Sequence, residues 1–556
     1  MKKKISYILC SALVAVSLGS CNLDINQDPF AVTDLDMSQL LTCTEYEVGC
    51  TFGPGYYLNA NFSSYVHHTV SREIDNYSLI ASYSTLGNTW AQAYRYAIKN
   101  CDALIENGDK DGNAIYAGIG RVMRVYTYMY LVDLWGDVPY SEANIPGIEA
   151  PKPDKSEDIY NDLLKNINDA LDNFKDTEAS NSLKPAANDL FYGGDVTKWI
   201  KLANTFKLKL LVQSRLAKDK IAGWATELSA LIAEDNFIGD GEDFQFPHNN
   251  VQTPSDERNA GWVDEYNGGQ KTVFISPWFY ECMNGDSYNW KNNPFKGIKD
   301  PRIPYYFYNQ LKATDDATNQ TDYRNGAFVS IMFGSNSGYT SMTQEASMTT
   351  LGIYPVGGLY DDGSAQTVGG TKGNPNAPDK LLQAYSVPFM KAELALAGEI
   401  TGDAKALLQA GIESSFTHVI SVSKASSAAT PAIAAATATT FINAVLAKYD
   451  AADAEGKMEI VMTQKWIANF YNPVEAYNDI RRTGYPVLFT GDADNKAYTP
   501  YAQTIAPTPT LTSFDLVNLL AYPHIMYYPN GEVTVNPNIT NEGRVVSAKT
   551  VFWDLK

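Results

Sequence analysis

The chain of 556 residues contains few of the side chains that catalytic and metal sites use, with five histidines and six cysteines. It has no HExxH helix, no GxSxG turn and no glycine-rich phosphate loop. His67 and His68 are adjacent, so their side chains diverge on a helix or on a strand and are poorly placed to share a metal. The sequence therefore predicts a protein that is not an enzyme and that needs no metal and no cofactor.

Positive charge is also scarce. The chain has 43 Lys and Arg residues and 63 Asp and Glu residues, so its net charge is −20. Nucleic-acid binding depends on a basic surface that neutralises phosphates. An acidic chain of this kind is not expected to bind nucleic acid.

Apolar runs of about 18 residues, the length that spans a bilayer, are absent beyond the N-terminus. The N-terminus itself has the pattern of a secretory signal, with Lys2 to Lys4 followed by an apolar run from Ile5 to Val16. Leu18-Gly19-Ser20-Cys21 then reads as a lipobox. We expect residues 1–20 to be a lipoprotein signal peptide and Cys21 to carry the acyl chains that anchor the protein in the membrane. The alternative is an ordinary cleaved signal in which Cys21 is incidental.

Two further cysteines, Cys43 and Cys50, are close enough in sequence to pair in an oxidising compartment. Two isolated buried thiols are the alternative. Neither arrangement resembles a metal site.

Helical periodicity dominates both halves of the chain. It predicts helices from Asn88 to Asn100, from Ala114 to Trp135, from Asp158 to Phe174 with Ser156 as N-cap, and from Thr197 to Leu216. It returns in pairs at 387–398 with 403–415 and at 457–469 with 474–482, which look like tetratricopeptide-type hairpins. Near the C-terminus, Asn530-Gly531 predicts a tight turn between two short strands. No linker divides residues 21–556, which we interpret as one domain that begins with a flexible leader at about 21–36.

The periodicity fails from about 239 to 379, a stretch rich in Gly, Asn, Asp, Pro and aromatics. Long loops on a helical scaffold usually carry binding. A flat aromatic ring matches the apolar C–H face of a sugar, while neighbouring polar groups bind its hydroxyls. The candidate ligand residues here are Trp262, Trp278, Trp290, Tyr266 and Tyr288. A second aromatic loop supplies the other wall with Asp75, Tyr77 and Tyr83. The alternative is that these rings pack against the protein and hold the long loops in place. The tryptophans outside these loops are expected to pack in the core: Trp90, Trp135, Trp199, Trp466 and Trp553.

One string, YLVDLWGDVPYSEA from Tyr130 to Ala143, resembles the signature of the SusD/RagB family of outer-membrane lipoproteins. Further matching pieces are Cys21 to Asp24 with Asp28-Pro29, Trp199 to Thr205, Asp300-Pro301-Arg302, Gln464-Lys465-Trp466 and Glu475 to Gly484. Gln-Lys-Trp and Arg-Arg-Thr-Gly are most similar to the second SusD-like subfamily.

The resemblance implies a mainly α, SusD-like fold in which tetratricopeptide-like hairpins support a loop-rich ligand face. It implies a lipid-anchored protein of the outer membrane that faces the cell exterior and acts as a lid on a SusC-like TonB-dependent transporter. The implied activity is capture of oligosaccharides and their transfer for import, with oligopeptide cargo (as in RagB) and a surface glycosidase as alternatives. It also implies that Asp133, Trp135 and Arg482 are packing and ion-pair residues of the scaffold.

Overall fold

Helices form most of the regular structure in the computed structural model. The structure describes residues 36–52, 58–71, 77, 86–264, 273–315, 321–335, 347–352, 375–426, 432–488, 494, 496–500, 512–517 and 519–556. The predicted signal peptide, Cys21 and nearly all of the leader lie outside the described residues.

The first half of the described chain is a series of helices that pack on their sequence neighbours. They are α1 (Met37–Phe52), α2 (Leu58–Tyr65), α3 (Gly87–Gln92), a π-helix (Ala93–Ile98), α4 (Lys99–Lys110), α5 (Ala114–Trp135), α6 (Ser156–Lys175), α7 (Val196–Gln213), a 3-10 helix (Arg215–Lys220) and α8 (Trp224–Glu234). The pairs α4–α5, α5–α6 and α6–α7 are in contact along the series. This is the packing expected of consecutive helical hairpins.

The second half contains short helices followed by a second helical series. The short ones are α9 (Ala260–Trp262), α10 (Pro277–Asn284) and α11 (Ile303–Tyr306), and the series is α12 (Ser386–Leu396), α13 (Ala404–Ser426), α14 (Ala435–Ala451), α15 (Ala454–Ala468) and α16 (Pro473–Thr483), with α17 (Asn530–Val535) near the C-terminus. Contacts join α12 to α13, α14 to α15 and α15 to α16. The prediction of a mainly helical fold with helix pairs is confirmed.

The strands described are short and form antiparallel pairs. They are β1 (Thr69–Ser71), β2 (Val138–Pro139), β3 (Pro153–Asp154), β4 (Phe244–Phe246), β5 (Val273–Ile275), β6 (Phe307–Tyr308), β7 (Tyr323–Asn325), β8 (Phe328–Ser330), β9 (Thr350–Leu351), β10 (Asp379–Leu382), β11 (Lys496–Thr499) and β12 (Thr512–Asp515). The pairs are β1–β5, β2–β3, β4–β10, β6–β9, β7–β8 and β11–β12. Six of these twelve strands lie within 239–379, and β10 begins at its last residue. No described helix of this stretch exceeds the 8 residues of α10. The predicted loop-rich stretch therefore contains only short elements in its described part.

Helix ends follow local chemistry in some places and depart from the prediction in others. Helix α5 has the predicted bounds, and Gly136 ends it with a φ of 76° that favours glycine. The N-cap of α6 is Lys155, so the prediction of Ser156 as N-cap is wrong by one residue. The predicted turn at Asn530 is also wrong, because Pro529 takes the extended conformation of an N-cap and α17 begins at Asn530.

The alternatives for Cys43 and Cys50 are both excluded by α1. Both thiols are free and exposed. Their seven-residue separation on one helix corresponds to roughly 10 Å along the axis, beyond the reach of a disulfide.

Among the helices of the described residues, none is both long enough and apolar enough to cross a bilayer.

The signature residues lie in the core, as the family resemblance implies. The Asp133 carboxylate accepts hydrogen bonds from Trp553 Nε1 (3.0 Å) and Asn478 Nδ2 (2.8 Å). Trp135 is fully buried and donates from Nε1 to the Tyr527 carbonyl oxygen at 2.9 Å. These contacts join the end of α5 to α16 and to the C-terminal segment.

Arg482 in α16 is the centre of a buried ion-pair network. Its guanidinium donates to both Glu393 carboxylate oxygens (2.9 and 2.8 Å) and to Asp479 Oδ1 (2.5 Å). Burial alone would raise the pKa of Glu393, but the Arg482 charge lowers it to about 2. Arg482 is therefore an ion-pair residue of the scaffold, as predicted.

Candidate ligand-binding groove

An open groove of about 830 Å³ lies beside the C-terminal end of α16. Its volume is within the range of small-molecule sites. The apolar part of its lining consists mainly of Pro486, Val487, Leu488, Leu519, Leu520 and Ala521. Val487 and Leu520 are each 51% exposed, so this lining includes apolar surface that faces solvent. An apolar surface in a concave site is what the ring face of a sugar or an apolar side chain would cover.

The chain reaches this groove through the end of a buried helix. Ile480 and Arg481 of α16 line the groove, and Gly484 ends the helix with a φ of 80°. Apart from its chain neighbours and the backbone of its own helix, no heavy atom of the described residues lies within 4 Å of the position that a Gly484 Cβ would take. The helix end therefore leaves space at this point, and residues 485–488 continue along the groove.

Tyr77 is the predicted ligand residue that the structure places in the groove lining. Its hydroxyl is 2.7 Å from His67 Nε2, and its carbonyl oxygen accepts a hydrogen bond from Tyr65 Oη at 2.5 Å. Its φ of 71° is unusual for a residue other than glycine. These contacts hold the ring against the core with 4% of its surface exposed. Tyr77 is thus a fixed part of the groove lining and not a mobile side chain.

Tyr522 forms an edge-to-face pair with Tyr77 at 5.3 Å between ring centroids. The segment that carries it is held by three backbone hydrogen bonds. His524 N and Ile525 N donate to the Val546 carbonyl oxygen, and Met526 N donates to the Leu134 carbonyl oxygen. Sequence reasoning missed this segment, because Leu519 to Tyr522 is a short apolar run without a helical or strand pattern. Two aromatic rings from distant parts of the chain therefore meet at one edge of the groove.

Both histidines of the His67-His68 pair are buried, and they have different partners. His67 contacts Tyr77, whereas His68 donates from Nε2 to the Trp466 carbonyl oxygen at 2.9 Å. Burial lowers the pKa of each ring to about 3. The two rings diverge, as predicted, and both are neutral parts of the core, with only His67 in contact with the groove residue Tyr77.

Arg481 is the charged group at the base of the groove. It is 2% exposed and stacks against the rings of Tyr477 (4.1 Å to the centroid) and Trp553 (4.5 Å). Its guanidinium donates to the carbonyl oxygens of His524 (2.6 Å) and Asp133 (2.7 Å) and to Asn478 Oδ1 (2.6 Å). Each of these acceptors is a neutral oxygen.

Trp278 and Trp290, two predicted ligand residues, lie in the core. They are 4% and 3% exposed and stack on each other with centroids 4.6 Å apart and an angle of 6° between the rings. Trp290 also makes an edge-to-face contact with Trp466 at 6.2 Å. The structure leaves neither ring face open to a ligand, because each is covered by other side chains.

Trp262 and Tyr288 are partly exposed. The Arg258 guanidinium lies 5.2 Å from the centroid of the Trp262 ring, and the Trp262 backbone N–H donates to Asn259 Oδ1 at 3.0 Å. The Tyr288 carbonyl oxygen accepts a hydrogen bond from Lys291 Nζ at 2.5 Å. Neither residue is part of the groove lining, so the structure does not bring these two together with Tyr77 in that site. Asp75, Tyr83 and Tyr266 lie outside the described residues.

The loop that carries Tyr288 and Trp290 is organised by Glu281 of α10. The Glu281 carboxylate accepts hydrogen bonds from the Asn289 backbone N–H (2.8 Å), the Asn289 side chain (2.6 Å) and the Tyr323 hydroxyl (3.0 Å). Burial raises the pKa of Glu281 to about 7, although these hydrogen bonds favour the charged form.

Among the residues that the structure describes, no group of three or more His, Cys, Asp or Glu side chains is placed to hold a metal ion.

The family model described as "Starch-binding associating with outer membrane" (SusD-like_2) matches residues 29–504. No curated protein is similar enough to the sequence to count as a match. Among solved structures, a chitin-binding protein is 22% identical with a TM-score of 0.64, over 94% of this chain and 100% of that one. A SusD/RagB family protein from Bacteroides thetaiotaomicron is 19% identical with a TM-score of 0.66, over 94% and 99%. A chitin-binding SusD homolog from Flavobacterium johnsoniae is 17% identical with a TM-score of 0.65, over 93% and 98%.

The chain belongs to this SusD-like family, because the family model matches well over half of its length. The solved structures share its fold, which confirms the SusD-like helical fold. The family description names carbohydrate binding and association with the outer membrane, and it names no reaction.

Proposed function

We propose that this protein captures oligosaccharides at the cell surface and delivers them to a SusC-like TonB-dependent transporter. The observation that carries the proposal is the open groove, in which exposed apolar side chains adjoin the fixed rings of Tyr77 and Tyr522. Apolar surface and aromatic rings together are suited to the C–H faces of sugars. Membership of a family described as starch-binding supports a carbohydrate ligand.

Lipid anchoring at Cys21, with residues 21–556 as one exported domain that faces the exterior, belongs to the same proposal. The N-terminal pattern and the outer-membrane association of the family support it. Acyl chains at one end of the protein would leave the groove free to meet cargo above the transporter. In this role the protein binds and transfers its ligand and breaks no bond in it.

The remaining predicted ligand residues stay in the proposal as a second set outside the groove. Trp262 and Tyr288 are partly exposed and can contribute a stacking surface, whereas Trp278 and Trp290 are covered and are not carried forward.

Peptides are the alternative cargo, and a peptide would bind in the groove through the apolar surface of the groove. The binding experiment must therefore include peptides.

The test replaces the exposed apolar side chains of the groove without disturbing the core. The double variant Val487→Gln/Leu520→Gln removes two half-exposed apolar groups, and surface changes of this kind alter stability by about 0.5 kcal/mol or less. We expect calorimetry with pooled oligosaccharides to show at least about a fivefold loss of affinity, or roughly 1 kcal/mol.

The control for this test changes two equally exposed apolar residues elsewhere. Ile145 and Leu183 are 47% and 49% exposed and are not part of the groove. The Ile145→Gln/Leu183→Gln variant should bind as the unchanged protein does. Equal binding by all three proteins would refute the groove as the capture site.

A further inference from the structure

His524 is a polar residue of the groove lining that is held at both its main chain and its ring. Its backbone N–H donates to the Val546 carbonyl oxygen, and its own carbonyl oxygen accepts a hydrogen bond from Arg481 Nη1 at 2.6 Å. Its ring Nδ1 lies 2.6 Å from Asp554 Oδ2. The position and the orientation of the ring are therefore fixed before a ligand arrives.

Asp554, which holds the ring, is itself a fixed and fully buried carboxylate. Its side chain is 0% exposed, and its backbone N–H donates to the Val551 carbonyl oxygen at 3.0 Å. The preceding residue, Trp553, donates from Nε1 to Asp133 Oδ1 at 3.0 Å, which ties the segment to the core. A buried carboxylate requires a hydrogen-bond donor, and the imidazole supplies one. The carboxylate in turn orients the imidazole.

The contact with Asp554 also decides what the other ring nitrogen of His524 can do. A carboxylate only accepts hydrogen bonds, so Nδ1 carries the hydrogen of this contact. In the neutral ring, Nε2 is then an acceptor. Nε2 has no hydrogen-bond partner among the described residues, and it is not one of the side-chain atoms that they bury unpaired. This nitrogen is therefore available to a donor in the groove.

The other polar side chains of the described lining are less suited to contact a ligand. Arg481 is 2% exposed, and its guanidinium already donates to three oxygens. The Tyr77 hydroxyl is hydrogen-bonded within the core, and the Tyr522 hydroxyl is buried. Lys549 and Lys556 are surface side chains with partners of their own. The His524 ring is the one that combines a fixed orientation with an available nitrogen.

The His524 ring also adjoins the aromatic edge of the groove. It meets the Tyr522 ring edge to face at 5.8 Å between centroids, and Tyr522 meets Tyr77 in the same way at 5.3 Å. The three rings follow one another along this edge. A sugar has apolar ring faces and hydroxyl groups around its rim. One bound sugar residue can therefore cover apolar lining and present a hydroxyl to the imidazole.

We propose that His524 is a specificity-determining residue of the groove, in which Nε2 accepts a hydrogen bond from a hydroxyl group of the bound sugar while Asp554 holds the ring. This inference rests on the proposed function and adds a directional polar contact to the apolar lining. Apolar surface alone does not distinguish a sugar from an apolar peptide. A fixed acceptor favours a ligand with a hydroxyl at this point, because little conformational freedom is lost when the hydrogen bond forms.

The experiment compares His524→Phe with a matched variant, His248→Phe. His248 also faces a carboxylate, since its Nε2 lies 2.9 Å from Asp379 Oδ2, and its side chain is 12% exposed compared with 15% for His524. It does not belong to the groove lining. Each variant keeps a ring, removes its hydrogen bonds and leaves a carboxylate without its histidine. The two variants share these structural consequences and differ in the groove contact.

Binding is measured by calorimetry on the full chain in detergent. The ligands are maltohexaose and hexa-N-acetylchitohexaose, because the family is described as starch-binding and similar structures include chitin-binding proteins. The pooled oligosaccharides of the preceding test replace them if neither binds. We expect His524→Phe to bind about three- to tenfold more weakly, the loss of one hydrogen bond, and His248→Phe to bind as the unchanged protein does.

A second measurement examines the ring in the unchanged protein, so it does not depend on the stability of a variant in the binding assay. Nitrogen NMR of the histidine-labelled protein reports which ring nitrogen carries the hydrogen, and the His524 signals are those missing from His524→Phe or His524→Gln. At mildly alkaline pH we expect the hydrogen on Nδ1. Addition of the sugar should shift the Nε2 signal more than the Nδ1 signal.

The outcomes distinguish this inference from the proposed function. Equal affinities of the two phenylalanine variants, a hydrogen on Nε2 in the free protein, or an Nε2 signal that the sugar does not shift would overturn the role of His524. Each of these results would leave oligosaccharide capture in place. Failure of the unchanged protein to bind the hexasaccharides and the pooled oligosaccharides would overturn the proposed function, and this inference with it.

Discussion

Replacement of Trp290 by alanine distinguishes a ring that holds the structure together from a ring that contacts ligand. Trp290 is 3% exposed, stacks on Trp278 at 4.6 Å and meets the edge of Trp466 at 6.2 Å. The variant would leave a large cavity between these two tryptophans, because the surrounding core is packed and can relax only in part.

The expected cost follows from the size of the buried ring. Removal of a core tryptophan lowers the free energy of unfolding by about 3–5 kcal/mol. The lost stacking and edge contacts are worth about 0.5–1.5 kcal/mol for each aromatic pair, and they form part of that total. Such a loss is a large fraction of the stability of an ordinary domain.

The assay is urea unfolding followed by circular dichroism, with Trp262→Ala as the matched control. Trp262 is only partly buried, and its contacts include the Arg258 guanidinium over its ring and a hydrogen bond from its backbone N–H to Asn259 at the start of α9. We expect this control to lose about 1 kcal/mol or less from the cation–π contact and the reduced packing. The midpoint should therefore fall much further for Trp290→Ala than for Trp262→Ala.

One result would refute this reasoning. If Trp290→Ala unfolds within about 1 kcal/mol of the unchanged protein and also loses affinity for oligosaccharide, the ring is accessible to ligand. The sequence-based prediction of Trp290 as a ligand residue would then hold, and the packing described above would not represent the state that binds.

Three other changes test the anchor and two buried charges. Cys21→Ser should move the protein from the membrane fraction to the soluble fraction, since acyl chains provide the proposed anchor, and retention in the membrane would contradict the lipobox. Arg482→Met leaves Glu393 without its main partner and should lower the free energy of unfolding by about 3–5 kcal/mol in a urea titration, so a loss below about 1 kcal/mol would contradict the network. Glu281 has a pKa raised from 4.5 to about 7, so the folded state binds the extra proton and stability falls as pH rises through that window. Between about pH 5 and pH 8 the unchanged protein should lose about 3 kcal/mol relative to Glu281→Gln, and parallel pH profiles would contradict this.

The helical scaffold was predictable because its signal is local. Helix α5 follows from apolar periodicity and from Gly136, which is well suited to a φ of 76°. The π-helix at Ala93–Ile98 was not predicted, because one extra residue in a turn leaves almost no trace in the apolar pattern. The N-cap was assigned one position too late, at Ser156, because Lys155 forms the cap without the side-chain hydrogen bond that marks a cap in the sequence.

The candidate site was much less predictable, because it depends on contacts between distant parts of the chain. Aromatic residues in an irregular stretch have the same composition whether they cover a ligand or pin a loop, and Trp278 and Trp290 do the latter. Tyr77 was found from its aromatic loop, but Tyr522 was not, because its position beside Tyr77 follows from backbone hydrogen bonds to Val546 and Leu134. Arg481 lies within one of the motifs that match the family, and only the structure shows that it lines a groove.

The central claim is that the protein binds an oligosaccharide in this groove and releases it unchanged. The most direct measurement is calorimetry of the full chain with neutral oligosaccharides, acidic oligosaccharides and a mixed peptide pool, followed by chromatography of each ligand after the titration. We predict heat from one class of oligosaccharide, with that sugar recovered intact. Heat from peptides alone, or recovery of shortened sugars, would contradict the account.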